Sequence, residues 1–125
     1  MKYILYIIPV LMVACNNSEK AAEPVSAVPV KEKALTDLVE KYPDSALLVE
    51  DLTQYYRENG DYTSAIATIA KALKRDSSNA RFWDIKGTLH IENADTLLSI
   101  QALERSADLY PQPGVIISLG ILYAQ

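Results

Sequence analysis

Two reactive side chains occur once each in this chain, the thiol of Cys15 and the imidazole of His90. A single Cys excludes an intrachain disulfide, and a single His excludes a metal site made of histidines alone. The carboxylates of Asp84, Glu92 and Asp95 do not have the spacing of a calcium-binding loop. No nucleophile stands beside a base in a recognisable motif, and the four glycines form no phosphate-binding loop. These residue types predict no enzyme activity, no metal and no dissociable cofactor.

The charge pattern disfavours nucleic acid as a partner. The chain has a formal net charge of −4 over 125 residues, of which 50% are hydrophobic, and this composition is typical of one folded domain. A small basic cluster, formed by Lys71, Lys74 and Arg75, falls at the end of a predicted helix. Cations at that end interact favourably with the helix dipole, so the cluster indicates helix stabilisation rather than a phosphate-binding surface.

The first residues have the pattern of a secretory signal peptide. Lys2 precedes an apolar run that ends at Ala14, and Asn16 begins an abruptly polar stretch. A membrane-spanning helix needs roughly 20 apolar residues, so this run is too short to span a bilayer. Residues 1–14 are therefore predicted to be a cleaved leader.

The end of this leader, Met12-Val13-Ala14-Cys15, resembles the bacterial lipobox, with Met where Leu is usual. The resemblance implies that Cys15 becomes the first residue of the mature protein and carries a diacylglycerol and an N-acyl group. An ordinary signal peptide with an incidental Cys is the alternative. Because Asn16 stands where an Asp would resemble an inner-membrane retention signal, the outer membrane of a bacterial envelope is favoured over the inner membrane.

Residues 15–30 are predicted to form the lipidated Cys and a flexible tether. Pro24 and Pro29 occur there among Ala, Val, Ser and Glu, with no helical or strand period. A flexible chain of about fifteen residues spans about 20 Å. This length would hold a folded domain clear of a lipid surface.

Beyond residue 30 the sequence repeats with a period of 34 residues. Residues 58–61 (Glu-Asn-Gly-Asp) align with residues 92–95 (Glu-Asn-Ala-Asp), and small, branched and turn residues recur at the same spacing. A fixed period of this length is typical of stacked supersecondary units. Apolar residues at helical spacing predict two helices in each unit. The predicted helices are 46–59, 62–75, 80–92 and 95–110.

The repeat resembles the tetratricopeptide repeat (TPR) family. In the first unit the family's pattern positions are occupied by Val49, Leu52, Thr53, Tyr56, Ala65, Ile69, Ala72 and Ser77. In the second unit they are occupied by Trp83, Lys86, Gly87, His90, Ser99, Leu103, Ser106 and Pro111. The pattern departs from the family at Lys86, where Leu is usual, and at Ser77, where Pro is usual. The resemblance implies structural roles for Trp83 and His90.

The resemblance implies an all-α fold, a right-handed superhelix of antiparallel helix pairs that covers residues 31–125. Complete units are predicted at about 46–79 and 80–112, with partial units at 31–45 and 113–125. The first helix of each pair forms the inner surface of such a stack. The resemblance implies that the family's inner-face positions fall here on Leu47, Glu50, Gln54, Arg57, Glu58, Arg81, Asp84, Thr88, Ile91 and Glu92. They form a candidate groove for an extended peptide or a partner helix, and a merely solvated face is the alternative.

The last predicted helix is almost wholly apolar between Val115 and Ala124. Terminal repeats normally need a polar outer face. We therefore expect either that the chain is part of a longer repeat array or that the segment Val115–Tyr123 docks on another chain, including a second copy.

Together these features predict a membrane-anchored scaffold or adaptor that binds a protein or peptide partner in the bacterial cell envelope. The alternative is that residues 1–125 are the N-terminal accessory module of a longer protein, which could be an enzyme.

Overall fold

The computed structural model describes residues 27–125, and side-chain burial is described from Val30 onward. Six α-helices and no strand occur within this range. The helices are α1 (Ala27–Lys41), α2 (Ala46–Glu58), α3 (Tyr62–Arg75), α4 (Ala80–Glu92), α5 (Thr96–Leu109) and α6 (Pro113–Tyr123). The predicted all-α fold is confirmed. The predicted leader and the lipidation site Cys15 lie outside the described residues.

None of the six helices is both long enough and apolar enough to cross a membrane. The helical region begins at Ala27 rather than at residue 31, so the last residues assigned to the tether belong to α1. Pro29 is compatible with this earlier start because a backbone N–H in the first helical turn has no intrahelical acceptor.

Polar side chains fix where four of the helices begin. Side-chain oxygens of Ser45, Asp61, Asn79 and Asp95 each accept a hydrogen bond from the backbone N–H three residues later. Each such cap stabilises its helix by about 1 kcal/mol. α6 has no side-chain cap and begins at Pro113, whose fixed backbone angle suits the first helical turn.

The 34-residue period is visible in the helix ends. α1, α3 and α5 end at Lys41, Arg75 and Leu109, and α2 and α4 begin at Ala46 and Ala80. We call α2, α4 and α6 the first-type helices and α1, α3 and α5 the second-type helices. Each helix packs against the next one along the chain. The described region therefore holds two complete pairs, α2–α3 and α4–α5, flanked by α1 and α6.

The core lies between these helices in two clusters. The larger cluster joins α2, α3 and α4 through the buried side chains of Val49, Ala65, Ile69, Ala72, Leu73, Phe82 and Leu89. The smaller one joins α5 to α6 through Leu103, Val115 and Leu119. Ser106, which is also buried, donates its hydroxyl to the carbonyl of Ala80 at 2.9 Å. This bond ties α5 to the start of α4.

Helices α4 and α5 approach closely at Gly87. A Cβ atom added at Gly87 would lie 2.6 Å from both Cγ and Cδ2 of Leu103, which is 1% exposed. Gly120 holds the corresponding position in α6, and a Cβ atom added there meets nothing within 4 Å. A Cβ atom would clash at Gly87 and not at Gly120 because α5 covers the face of α4 that carries Gly87. No described helix covers the corresponding face of α6.

Trp83 lies at the edge of the larger cluster and is only partly buried. Its indole N–H donates to the carbonyl of Ser77 at 2.9 Å, and the Lys86 ammonium lies 5.1 Å from the ring centroid. These contacts give Trp83 the structural role that the family pattern implies.

Ala94→Gly is expected to raise the free energy of unfolding by about 0.5–1 kcal/mol. Ala94 has a left-handed φ of 59°, and the equivalent residue of the preceding unit is Gly60, with a φ of 73°. A Cβ atom in this conformation costs roughly 1–2 kcal/mol, which the greater freedom of Gly in the unfolded chain partly offsets. Urea unfolding measures the change. Gly60→Ala is the reciprocal control, and an unchanged stability in both variants would contradict the prediction.

His90 is buried in α4, with 6% of its surface exposed. Its Nδ1 atom has no hydrogen-bond partner, and neither does the buried hydroxyl of Ser99 in α5. Burial lowers the pKa of His90, a change that the charge of Asp95 opposes and that of Lys86 reinforces. The folded protein therefore holds His90 in its neutral form more strongly than the unfolded chain does.

We expect stability to fall as the pH drops below about 6.5, the ordinary pKa of an unfolded His. The unfolded chain binds the His90 proton more tightly than the folded protein does. The free energy of unfolding is therefore highest above that pH and decreases as the pH falls toward the lowered pKa of folded His90. The slope from one such group is at most about 1.4 kcal/mol per pH unit. Urea unfolding across this range should show a shallower slope for His90→Tyr, which carries the residue found at the equivalent Tyr56. Equal slopes would contradict the assignment.

Candidate protein-binding groove

A groove lies between the first-type helices α2 and α4. We call it the α2–α4 groove, and its volume is about 310 Å³. Its lining residues are Leu47, Glu50, Asp51, Thr53, Gln54, Arg57, Arg81, Asp84, Ile85, Thr88 and Leu89.

The structure brings most of the predicted groove residues together. Those that line the groove are Leu47, Glu50, Gln54, Arg57, Arg81, Asp84 and Thr88, whereas Glu58, Ile91 and Glu92 do not. Sequence reasoning missed four lining residues, of which Thr53 and Leu89 are buried side chains of the helix packing. Asp51 and Ile85 occupy equivalent repeat positions, and because one is charged and the other apolar, the pattern at this position indicated no common role.

Two arginines of the groove are bound to carboxylates of the opposite helix. Arg81 donates from Nε and Nη2 to the two carboxylate oxygens of Glu50, at 2.6 and 2.7 Å. Arg57 donates from Nε to Oε2 of Glu92 at 2.7 Å, and its Nη2 pairs with the other oxygen. These carboxylates raise the pKa of both guanidinium groups. The bridges therefore tie α2 to α4 and leave both cations engaged.

The ion pairs position the helices more than they stabilise them. The Arg81 side chain is 64% exposed and the Arg57 side chain 39% exposed. Solvent-exposed pairs of this kind contribute about 0–1 kcal/mol each. Their two-point geometry nevertheless restricts how α2 and α4 can move relative to one another.

Three carboxylates beside these pairs have no cation within 4.0 Å among residues 30–125, namely Asp51, Glu58 and Asp84. Glu58 accepts a hydrogen bond from Gln54 at 2.9 Å. Asp84 is partly buried in the groove, and burial raises its pKa although Arg81 opposes the change. This part of the protein therefore carries an excess of negative charge.

Apolar side chains lie beside the charged ones. Leu47 is 69% exposed at the groove and Ile91 is 42% exposed beyond it. In α6, Ile117 and Ile121 follow Asp84 and Thr88 by 33 residues, the same offset that separates the first residues of α4 and α6. The two isoleucines are 63% and 59% exposed. The positions that Asp84 and Thr88 hold on α4 are thus held on α6 by exposed apolar residues.

A second, larger groove of about 510 Å³ lies between the second-type helices α1 and α3. Side chains of Val39, Val49 and Leu52 contribute to its apolar lining, and Lys71 and Arg75 are among its charged residues. No sequence pattern indicated this groove because its width depends on the separation of α1 and α3, which the repeat period does not determine.

In the part of the chain that the structure describes, no three His, Cys, Asp or Glu side chains are grouped so that they could hold a metal ion. The α2–α4 groove offers a ligand charged side chains, hydrogen-bonding groups and apolar side chains.

Alternating helices of two types, stacked at a fixed period with small residues where paired helices meet, form a TPR-like helical-repeat fold. Two crystal structures of MamA superpose on the chain with TM-scores of 0.65 and 0.66 at 20% sequence identity. The match covers 78% of this chain and 54% and 57% of those chains, so the chain spans little more than half of their length. No protein-family model and no curated protein matches the sequence. The likeness establishes the fold.

Proposed function

We propose that this protein is a lipid-anchored, TPR-like adaptor that binds a protein partner in the bacterial cell envelope. The observation that carries the proposal is the α2–α4 groove, a surface on the helices that form the inner face of a helical-repeat stack. Its lining residues include no Ser, Cys, His or Lys, which supports binding rather than catalysis. An open groove of mixed charge and apolar character suits an extended peptide or a helix.

Site-specific photo-crosslinking in cells tests the adaptor role. A photoreactive side chain at Leu47 in the groove should crosslink to a discrete protein partner. The matched control is Leu97 on α5, which is 66% exposed against 69% for Leu47 and does not line the groove. Equal crosslinking from both positions, or none from Leu47, would contradict the proposal.

The membrane attachment rests on Cys15, and the tether that follows it would present the helical domain away from the lipid. Acyl chains contribute about 0.8 kcal/mol for each buried CH₂ group, and stable anchoring takes more than one chain. Cys15→Ser should therefore move the protein from the membrane fraction to the soluble fraction. A Cys15→Ser variant that still sediments with membranes would refute the anchor.

We also propose that the segment Val115–Tyr123 mediates self-association, through the face of α6 that carries Ile116 and Gly120 and not through Ile117 and Ile121. Ile116 is 50% exposed, and Gly120 beside it leaves room for close approach of a second copy. Size-exclusion chromatography with light scattering of the full chain carrying Cys15→Ser should show an oligomer that Ile116→Asp dissociates. Leu97→Asp, an equally drastic change on α5, is the control, and a monomeric parent protein would contradict the proposal.

A further inference from the structure

The α2–α4 groove has no free cation to offer to a ligand. Among the residues that the structure describes, Arg57 and Arg81 are the basic residues that line it, and each is already paired through two nitrogens with a carboxylate of the opposite helix. Because Glu50 and Glu92 already neutralise both guanidinium charges, an anionic ligand would gain little attraction from them and would be repelled by the remaining carboxylates of the groove. The groove is therefore unsuited to a carboxylate or phosphate group.

The same pairing occupies both arginines and leaves nearby carboxylates without a counter-ion. Asp51 and Asp84 line the groove, and no cation of residues 30–125 lies within 4.0 Å of either carboxylate. Glu58, beside the groove, also has no such cation. Asp84 is the most informative of the three because its partial burial makes the charged form costly and raises its pKa. A cationic side chain placed against Asp84 would remove this cost, whereas a neutral ligand would increase it.

The apolar end of the surface adds a second requirement. Ile117 and Ile121 extend the row of first-type helices beyond Asp84 and Thr88, and both are more than half exposed. A ligand that covers only the acidic part would leave these isoleucines in water. Burying apolar surface contributes about 25 cal/mol per Å², so a ligand gains by placing apolar side chains there.

We propose that the groove binds a protein segment in which Lys or Arg residues are adjacent to apolar residues. The basic side chains pair with Asp51 and Asp84 between α2 and α4, and the apolar side chains contact Ile117 and Ile121 of α6. This inference rests on the proposed adaptor function and specifies the chemistry of the partner.

Fluorescence anisotropy with synthetic peptides tests the inference on the full chain carrying Cys15→Ser. One peptide has lysines followed by leucines, a second has glutamate in place of each lysine, and a third has serine in place of each leucine. The lysine–leucine peptide should bind at least about tenfold more tightly than the glutamate peptide, and added salt should weaken its binding. Equal affinity for the lysine–leucine and glutamate peptides, or binding of none of the peptides, would overturn the inference.

Matched variants locate the binding surface. Asp84→Asn should weaken binding of the lysine–leucine peptide about threefold to tenfold, whereas Asp108→Asn, at an exposed carboxylate of α5, should not. Ile117→Ser should lower affinity for the lysine–leucine peptide but not for the lysine–serine peptide. Leu97→Ser, at a comparably exposed apolar position of α5, is its control. Equal effects within each pair would overturn the assignment to this surface.

The two proposals fail in different ways. A partner that crosslinks from Leu47 but is insensitive to Asp84→Asn would leave the adaptor function standing and would refute the basic segment. The absence of any crosslink from Leu47 would refute the adaptor function itself.

Discussion

Gly87→Val is expected to lower the free energy of unfolding by about 0.5–2.5 kcal/mol. The first added atom would lie 2.6 Å from two carbons of Leu103, and Leu103 is enclosed between α4, α5 and α6. Overpacking of a filled core costs about 1–3 kcal/mol, and the better helix propensity of Val offsets only about 0.5 kcal/mol. Urea unfolding monitored by far-ultraviolet circular dichroism measures the loss.

The chain supplies a matched control at the corresponding position of α6. A side chain at Gly120 meets no atom of this chain within 4 Å of its Cβ. In an Ile116→Asp background, where the proposed self-association is removed, Gly120→Val should therefore change the free energy of unfolding by less than about 0.5 kcal/mol. A Gly87→Val variant as stable as Gly120→Val would show that α4 and α5 do not approach as closely as the structure indicates.

Leu103→Ala should cost about 2–5 kcal/mol, the range for a buried Leu in a well-packed core. Leu103 is 1% exposed and takes part in the contacts of α5 with both α4 and α6. Its loss should therefore loosen α6 as well, which limited proteolysis near residue 113 would detect. Leu97→Ala removes the same atoms from the same helix at a site that is 66% exposed, and it should cost less than about 0.5 kcal/mol.

The effects of Gly87→Val and Leu103→Ala are coupled. The Val side chain introduced at position 87 would clash with the Leu103 side chain, which Leu103→Ala removes. The double variant should lose less stability than the sum of the single variants, with an interaction free energy within the range of about 0.5–3 kcal/mol seen for residues in contact. Strict additivity would contradict a direct contact between these residues.

The helix pattern could be predicted from the sequence because each local signal agreed with the repeat. The two-residue turns at Asn59-Gly60 and Asn93-Ala94 and the caps at Asp61 and Asp95 recur at one spacing, and they fix helix ends within one or two residues. Local signals suffice when propensity, capping and periodicity favour the same structure.

The electrostatic state of the groove could not be predicted in the same way. The family pattern placed Arg57 and Arg81 on the inner face, but their pairing with Glu92 and Glu50 joins residues 35 and 31 positions apart. Such pairing depends on the angle and separation of α2 and α4, which no periodicity encodes. The start of α1 and the groove between α1 and α3 were not predicted from the sequence for a related reason. Each depends on packing beyond the repeat unit.

The unpartnered polar atoms inside the second helix pair have a consequence for how the molecule melts. Positions held by Tyr56 and Ala65 in the first pair are held by His90 and Ser99 in the second, where neither buried atom finds a hydrogen-bond partner. In mild acid, protonation of His90 requires a charge to be placed in this buried site, so we expect the α4–α5 pair to lose stability before the α2–α3 pair does. Because α4 forms one wall of the α2–α4 groove, the shape of the groove is then tied to the protonation of a side chain that does not line it.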